Sequence, residues 1–201
     1  MVGNYAYIGT GLDQQQNRYN DLWRFDPVKM IWYQVAENAN MSPRNLAVAF
    51  TINGKGYVGS GFDSANALSD FWQYDPVTNG WSRVASMGDT GSGPQARYSA
   101  VAFGIDAAGY GYVGTGNDGM NYHNDFWQFT PPVSSTDTGS WHKIIDLPGA
   151  ARTQAVSWVY NNKGYVVTGI GTGGTLCNDF FYYDPTQQSS AVWKELRHIT
   201  Y

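Results

Sequence analysis

A phrase written four times, a period-two alternation of side chains between Gly, Asn, Asp and Pro clusters, and a tryptophan closing every copy together predict an all-β fold. The fold is a β-propeller of four repeats of four antiparallel strands, with the first blade lacking its first strand. The phrase reads DLWRFDPVKMIW from Asp21, DFWQYDPVTNGW from Asp70, DFWQFTPPVSSTDTGSW from Asp125 and DFFYYDPTQQSSAVW from Asp179. Its copies stand 49, 55 and 54 residues apart. Tyr7, Tyr57, Tyr112 and Tyr165 keep the same step upstream, as do Gly11, Gly61, Gly116 and Gly169. Trp32, Trp81, Trp141 and Trp193 end the units.

Each element follows from local chemistry. The first strand of a full unit is NLAVAF, YSAVAF or TQAVSWVY, rich in β-branched and aromatic residues that suit a pleated surface. A tight turn, INGKG or YNNKG, leads to the second strand, GYVG. A longer loop precedes the third, DFWQY, which Asp-Pro ends because proline donates no ladder hydrogen bond and restricts the residue before it. A turn such as DPVTNG opens the fourth strand at tryptophan. Residues 1–201 thus form one propeller region, with blade 1 at 1–38, blade 2 at 39–90, blade 3 at 91–147 and blade 4 at 148–201. Blade 1 opens at GNYAY, which aligns with the turn before the second strand of blade 2, so fifteen strands are expected.

Composition narrows the function. A chain of 201 residues buries about 70% of its unfolded surface and needs no covalent staples. Hydrophobic residues make up 42% and charged ones 14%, so Asn, Gln, Ser, Thr and Gly must meet the water. That surface suits an extracellular, cell-surface or periplasmic setting. A net charge of -4 argues against a phosphate-binding face, so nucleic acid is excluded as the main partner. Cys177, the one cysteine, can form no internal disulfide. The sequence has no run of 18 apolar residues for a membrane span, and MVGNYAYIGTG lacks the charged and apolar regions of a signal peptide.

The order Arg, apolar strand, Gly-Tyr-x-x-x-Gly, long loop, Asp, aromatic-x-Tyr-Asp-Pro, Trp resembles the kelch repeat, and KGYVGTG-like and DFWQYDP wording resembles its bacterial type. The resemblance runs the length of the chain. Departures are Thr130 in place of the Asp of Asp-Pro, Phe181 in place of a Trp, and one glycine where the family pairs two.

The repeated residues read first as structure. The closing tryptophans suit the wedge between blades, and the repeated glycines suit close packing or positive φ. Asp21, Asp70, Asp125 and Asp179 are expected to accept backbone N–H bonds at loop ends. An open arc leaves two blade faces bare and one sheet edge unpaired. Three explanations fit: missing blades from a longer propeller, a ring assembled from several chains as a homo-oligomer, or a small ring with an unpatched blade.

Arg44, Arg97 and Arg152 open the first strands of blades 2, 3 and 4. The resemblance implies that arginines at these places cluster at the channel mouth and hold acidic ligands, since guanidinium forks bind carboxylates bidentately. The competing reading pairs each with a carboxylate of a neighbouring blade or with backbone carbonyls. The loops between second and third strands place Tyr19, Leu68, His123 and Cys177 at one equivalent position, so specificity is expected there. Asp13, Asp63 and Asp118 recur in these loops as too sparse an acid set for calcium, and an Asx turn is expected. Copper-radical oxidases and sialic acid epimerases share the resemblance, but His123, His142 and His198 occupy different structural places, Cys177 takes the loop position of His123 one blade away, and together they give no ligand set. No catalytic residue, metal or cofactor is assigned. The expected function is a non-catalytic binding and assembly scaffold for a protein partner. The alternative is a carbohydrate-active or glycan-binding propeller of the epimerase kind.

Overall fold

The computed structural model describes residues 2–88, 93–187 and 192–196. Blade 1 is a three-stranded sheet of β1 (Ala6–Leu12), β2 (Arg18–Asp26) and β3 (Ile31–Gln34). Blade 2 holds β4 (Val48–Ile52), β5 (Lys55–Gly59), β6 (Phe71–Asp75) and β7 (Gly80–Val84). Blade 3 holds β8 (Val101–Ile105), β9 (Tyr110–Gly114), β10 (Phe126–Thr130) and β11 (Ser140–Ile144). Two short strands, β12 (Arg152–Thr153) and β15 (Ile170–Gly171), pair with each other beside blade 4. Blade 4 itself is β13 (Val156–Tyr160), β14 (Lys163–Val167), β16 (Phe180–Tyr183) and β17 (Trp193–Leu196). The sheet of each blade is an antiparallel meander in chain order, as the repeat demands.

The described residues therefore carry two strands more than the fifteen expected. The extra pair is a stronger form of a contact all full blades make. Asn45 bridges Phe62 and Tyr98 bridges Asn117 once each, whereas in blade 4 both Arg152 and Thr153 find partners. The hairpins use the turn residues their geometry requires. Asn53 and Gly54 have φ of 52° and 73°, and Asn161 and Asn162 have 49° and 56°, the paired left-handed values of a type I′ turn.

The blades meet through aromatic rings seated on glycine. A Cβ on Gly111 would lie 2.3 Å from the Phe50 ring, and one on Gly164 would lie 2.1 Å from the Phe103 ring. Each ring thus enters a cup that only the next blade's missing side chain leaves open. The closing tryptophans pack backward into the same wedges. Trp141 meets Phe71 edge-on at 5.0 Å, and Trp193 meets Phe126 at 4.9 Å. Their indole N–H groups donate to Ala85 and Ile145 carbonyls of the preceding blade, as Trp81 does to Ala36. Two buried clusters result, one between blades 2 and 3 and one between blades 3 and 4. The stabilising surface lies between sheets, not within them.

Candidate functional site

The strand starts that carry the arginines and the loops between second and third strands lie at one end of the blades, because a four-stranded meander returns both to the same side. Around that end runs a belt of hydrogen bonds. Gly11 N–H donates to the Arg44 carbonyl, Gly61 to Arg97 and Gly116 to Arg152, each at 2.8 Å. Arg44, Arg97 and Arg152 N–H groups in turn donate to the carbonyls of Tyr19, Leu68 and His123. Each arginine is thus stitched by its backbone to the blade before it. This explains why the side chain at the Tyr19, Leu68, His123 and Cys177 position is free to vary: the scaffold uses the peptide group there.

The arginine side chain looks the other way, into its own blade. Arg44 Nη1 and Nη2 reach the two Asp70 oxygens at 2.6 and 2.7 Å, and Arg97 reaches those of Asp125 at 2.5 and 2.9 Å. Arg152 holds Asp179 in the same fork. Further donors go to backbone carbonyls: Nε to Ser42, Gln95 or Ala150, and Nη1 to Ser60, Thr115 or Thr168. The receiving residues Ser60, Thr115 and Thr168 have φ near +60°, as does Thr10 in blade 1, which is an uncommon state for threonine and turns each carbonyl toward the fork. Trp72 and Trp127 indoles add a bond to Asp70 and Asp125 at 2.7 Å. In blade 4, Phe181 lies where that indole would be, and its ring faces the Arg152 guanidinium at 6.0 Å instead.

Two expectations change here. The repeated aspartates of blades 2 to 4 accept guanidinium donors, joined by an indole in blades 2 and 3, and not backbone N–H groups, because a buried arginine needs a full negative charge opposite it. The carboxylate each arginine finds belongs to its own blade, not to a neighbour. All three arginines are fully buried, and they are strung along the belt one per blade. An acidic ligand would have to displace a carboxylate from each fork. Burial raises the pKa of Asp70 and Asp125, but the arginine hydrogen bonds and charge, with the tryptophan bond, outweigh it and hold both carboxyls below their ordinary range.

Above the belt the loop aspartates shape turns. Asp63 Oδ1 accepts the N–H groups of Ala65 and Asn66, and Asp118 Oδ1 those of Met120 and Asn121. Burial opposes ionisation of Asp118, yet these bonds and the contact with His123 bring its pKa down to about 2. Asp118 Oδ2 lies 3.0 Å from His123 Nε2. His142 stands on β11, and His198 lies outside the described residues. Among the described residues no group of three His, Cys, Asp or Glu side chains is placed to hold a metal ion. Tyr19 at the start of β2 and Met120 and Leu176 in the loops have exposed side chains on this end.

A family model described as the KLHDC2/KLHL20/DRC7 Kelch-repeats domain matches residues 1–150. The chain belongs to the kelch-repeat family. No curated protein matches it. Among solved structures it is similar to "Structure of YjhT", with a TM-score of 0.72 at 20% identity, over 98% of this chain and 63% of that one. The kelch chain thus spans about 63% of the length of that structure, and at this identity the likeness speaks for the fold. No helix among the described residues is long and apolar enough to cross a membrane. The belt was half legible. Arg-to-Asp separations of 26, 28 and 27 residues recur in blades 2 to 4, and that nearly even spacing could have marked the pair.

Proposed function

We propose that this kelch region is a non-catalytic binding scaffold that meets a protein partner through the loops at the arginine end of its blades. The observation that carries the reading is the division of labour there. The arginine forks are spent on their own blades, so they position the loops and leave ligand contact to the side chains above them. Those side chains differ from blade to blade on a repeated frame, which is how specificity is added to a scaffold. Tyr19, Met120 and Leu176 supply exposed apolar contact within a polar rim, the make-up of a protein-binding face. A surface of Asn, Gln, Ser and Thr supports an extracellular or periplasmic setting.

Affinity capture with cross-linking from the native extract tests this. A protein captured by the unaltered chain should be lost with the triple variant Tyr19→Ser, Met120→Ser, Leu176→Ser at unchanged melting temperature. If instead the unaltered chain binds or turns over a sialylated glycan and captures no protein, the carbohydrate reading replaces this one.

A further inference from the structure

We infer that the cleft between blades 3 and 4, at the end opposite the arginine belt, binds one neutral sugar residue, whose hydroxyl groups meet those of Tyr112 and Tyr183 while its apolar face lies on the Tyr110 ring. The inference stands apart from the protein-binding reading above, which uses the other end of the blades. It comes from comparing two wedges that the repeat would otherwise make alike.

Between blades 2 and 3 the buried hydroxyl is committed. Tyr57 donates to Gln73 Oε1 at 2.9 Å, and the Gln73 amide is braced from behind by Ser82 Oγ at 3.4 Å. The ring that closes on Tyr57 from blade 3 is Phe129, at 5.4 Å, and it brings no hydroxyl. At the turn end of this sheet Lys55 pairs with Asp75 at 3.5 Å. Two residues, Asn53 and Gly54, join β4 to β5.

Between blades 3 and 4 each of these positions is changed. Tyr112 stands opposite Gln128 as Tyr57 stands opposite Gln73, but His142 takes the register position of Ser82, and Gln128 does not reach the Tyr112 hydroxyl. Tyr183 replaces Phe129 and adds a second hydroxyl, its ring 5.0 Å from that of Tyr112. Tyr112 is fully buried, and its hydroxyl has no partner in hydrogen-bonding geometry. The Tyr183 hydroxyl lies beside it, near enough to act with burial in raising its pKa, without completing a bond. A buried hydroxyl in this state carries a cost that a ligand can remove. Tyr110 stands where Lys55 and Lys163 stand, and Thr130 where Asp75 stands, so blade 3 puts neutral groups in place of the ion pair. Residues 106–109 make a wider turn between β8 and β9 and form one wall of a cleft of about 380 Å³, which Tyr110, Tyr112, Gln128, Asn162, Tyr183 and Thr186 also line.

The lining selects the ligand. None of the described residues around the cleft is charged. Lys163 and Asp184, next in sequence to lining residues, are paired with each other at 3.0 Å. A charged ligand would therefore find no counter-ion. Amide and hydroxyl groups each donate and accept, which matches a ligand that does both. The Tyr110 ring matches one with an apolar face as well. Hydroxyls set around an apolar ring describe a neutral sugar, and a cleft at the small end of the ligand-pocket range limits the occupant to a single unit.

Ligand-observed NMR of the 201-residue chain with glucose, galactose and mannose tests this. Saturable binding of at least one is expected, with a Kd on the order of 1 to 10 mM, and about tenfold weaker binding of the corresponding uronic acid. Tyr112→Phe keeps the ring and removes the hydroxyl, so sugar affinity should fall about tenfold while the melting temperature stays or rises, since no bond within the protein is lost. Tyr57→Phe is the reverse control: it should lower the melting temperature by breaking the bond to Gln73 and leave sugar affinity unchanged. Tyr110→Ala should weaken binding, and the triple variant Tyr19→Ser, Met120→Ser, Leu176→Ser should not, which separates this site from the protein-binding face. No saturation of any of the three sugars up to about 50 mM overturns the inference, as does unaltered affinity in Tyr112→Phe or equal binding of the uronic acid. That last comparison uses the unaltered chain and so decides the matter even if a variant fails to fold.

Discussion

Blades 1 and 3 are written with nearly the same words, and the molecule treats them differently. Both have the left-handed Thr-Gly pair, the aspartate with its indole donor and the closing tryptophan. In blade 3, Arg97 fills the fork and Trp141 is tied to Ala85 of the blade before it. In blade 1 no arginine of the described residues reaches Asp21, and Trp32 is 46% exposed against 6% for Trp193 of blade 4. A blade is therefore not a self-sufficient unit. Its sheet forms from local pattern, but its large side chains become core only when a neighbour covers them, as in other arrays whose stability is a sum of interfaces.

Removing a fork should break the comparison most severely. Arg97→Ala leaves Asp125 facing a vacated, largely buried site and is expected to cost about 3–5 kcal/mol in chemical denaturation. Asp21→Asn should change stability by less than about 0.5 kcal/mol, since no guanidinium among the described residues is paired with it. An equal loss in both would mean that Asp21 is as firmly paired as Asp125.

The glycine cups give a second contrast. Gly111→Ala forces the Phe50 ring to move and should cost about 1–3 kcal/mol, whereas Gly56→Ala should be neutral within about 0.5 kcal/mol. Thermal melts of the two variants side by side would show whether the ring-on-glycine contact is what joins the blades.

The smallest effect is the one that pH reads. Asp70 and Asp125 have carboxyl pKa values below the unfolded value of about 3.9, so the unfolded chain binds protons more readily. Their contribution is present above about pH 4 and is lost as pH falls through the folded values. The melting temperature should decline in that acid window, and in Arg97→Ala the Asp125 share of the decline should vanish.

The fold was legible because its signals are local. Asn-Gly and Asn-Asn turns, Asp-Pro breaks and period-two strands each depend on residues a few positions apart, and the structure places a strand at every position they mark. The site was legible in its positions but not in its partners. Arg44, Arg97 and Arg152 stand out by their places in the repeat, yet nothing beside them in sequence says that the fork reaches across the blade to an aspartate more than twenty-five residues away. The aspartates were misread for the same reason. An aspartate at a loop end usually caps a turn, and Asp63 and Asp118 do so.

The order of residues along this chain was sufficient to determine four meandering sheets and their turns, because hydrogen-bonded hairpins answer to neighbours in sequence. Which charge meets which and which ring enters which glycine cup were decided by the stacking of blades. Those contacts join residues from different strands and blades, and a side chain acquires its partner only when packing brings the two surfaces together.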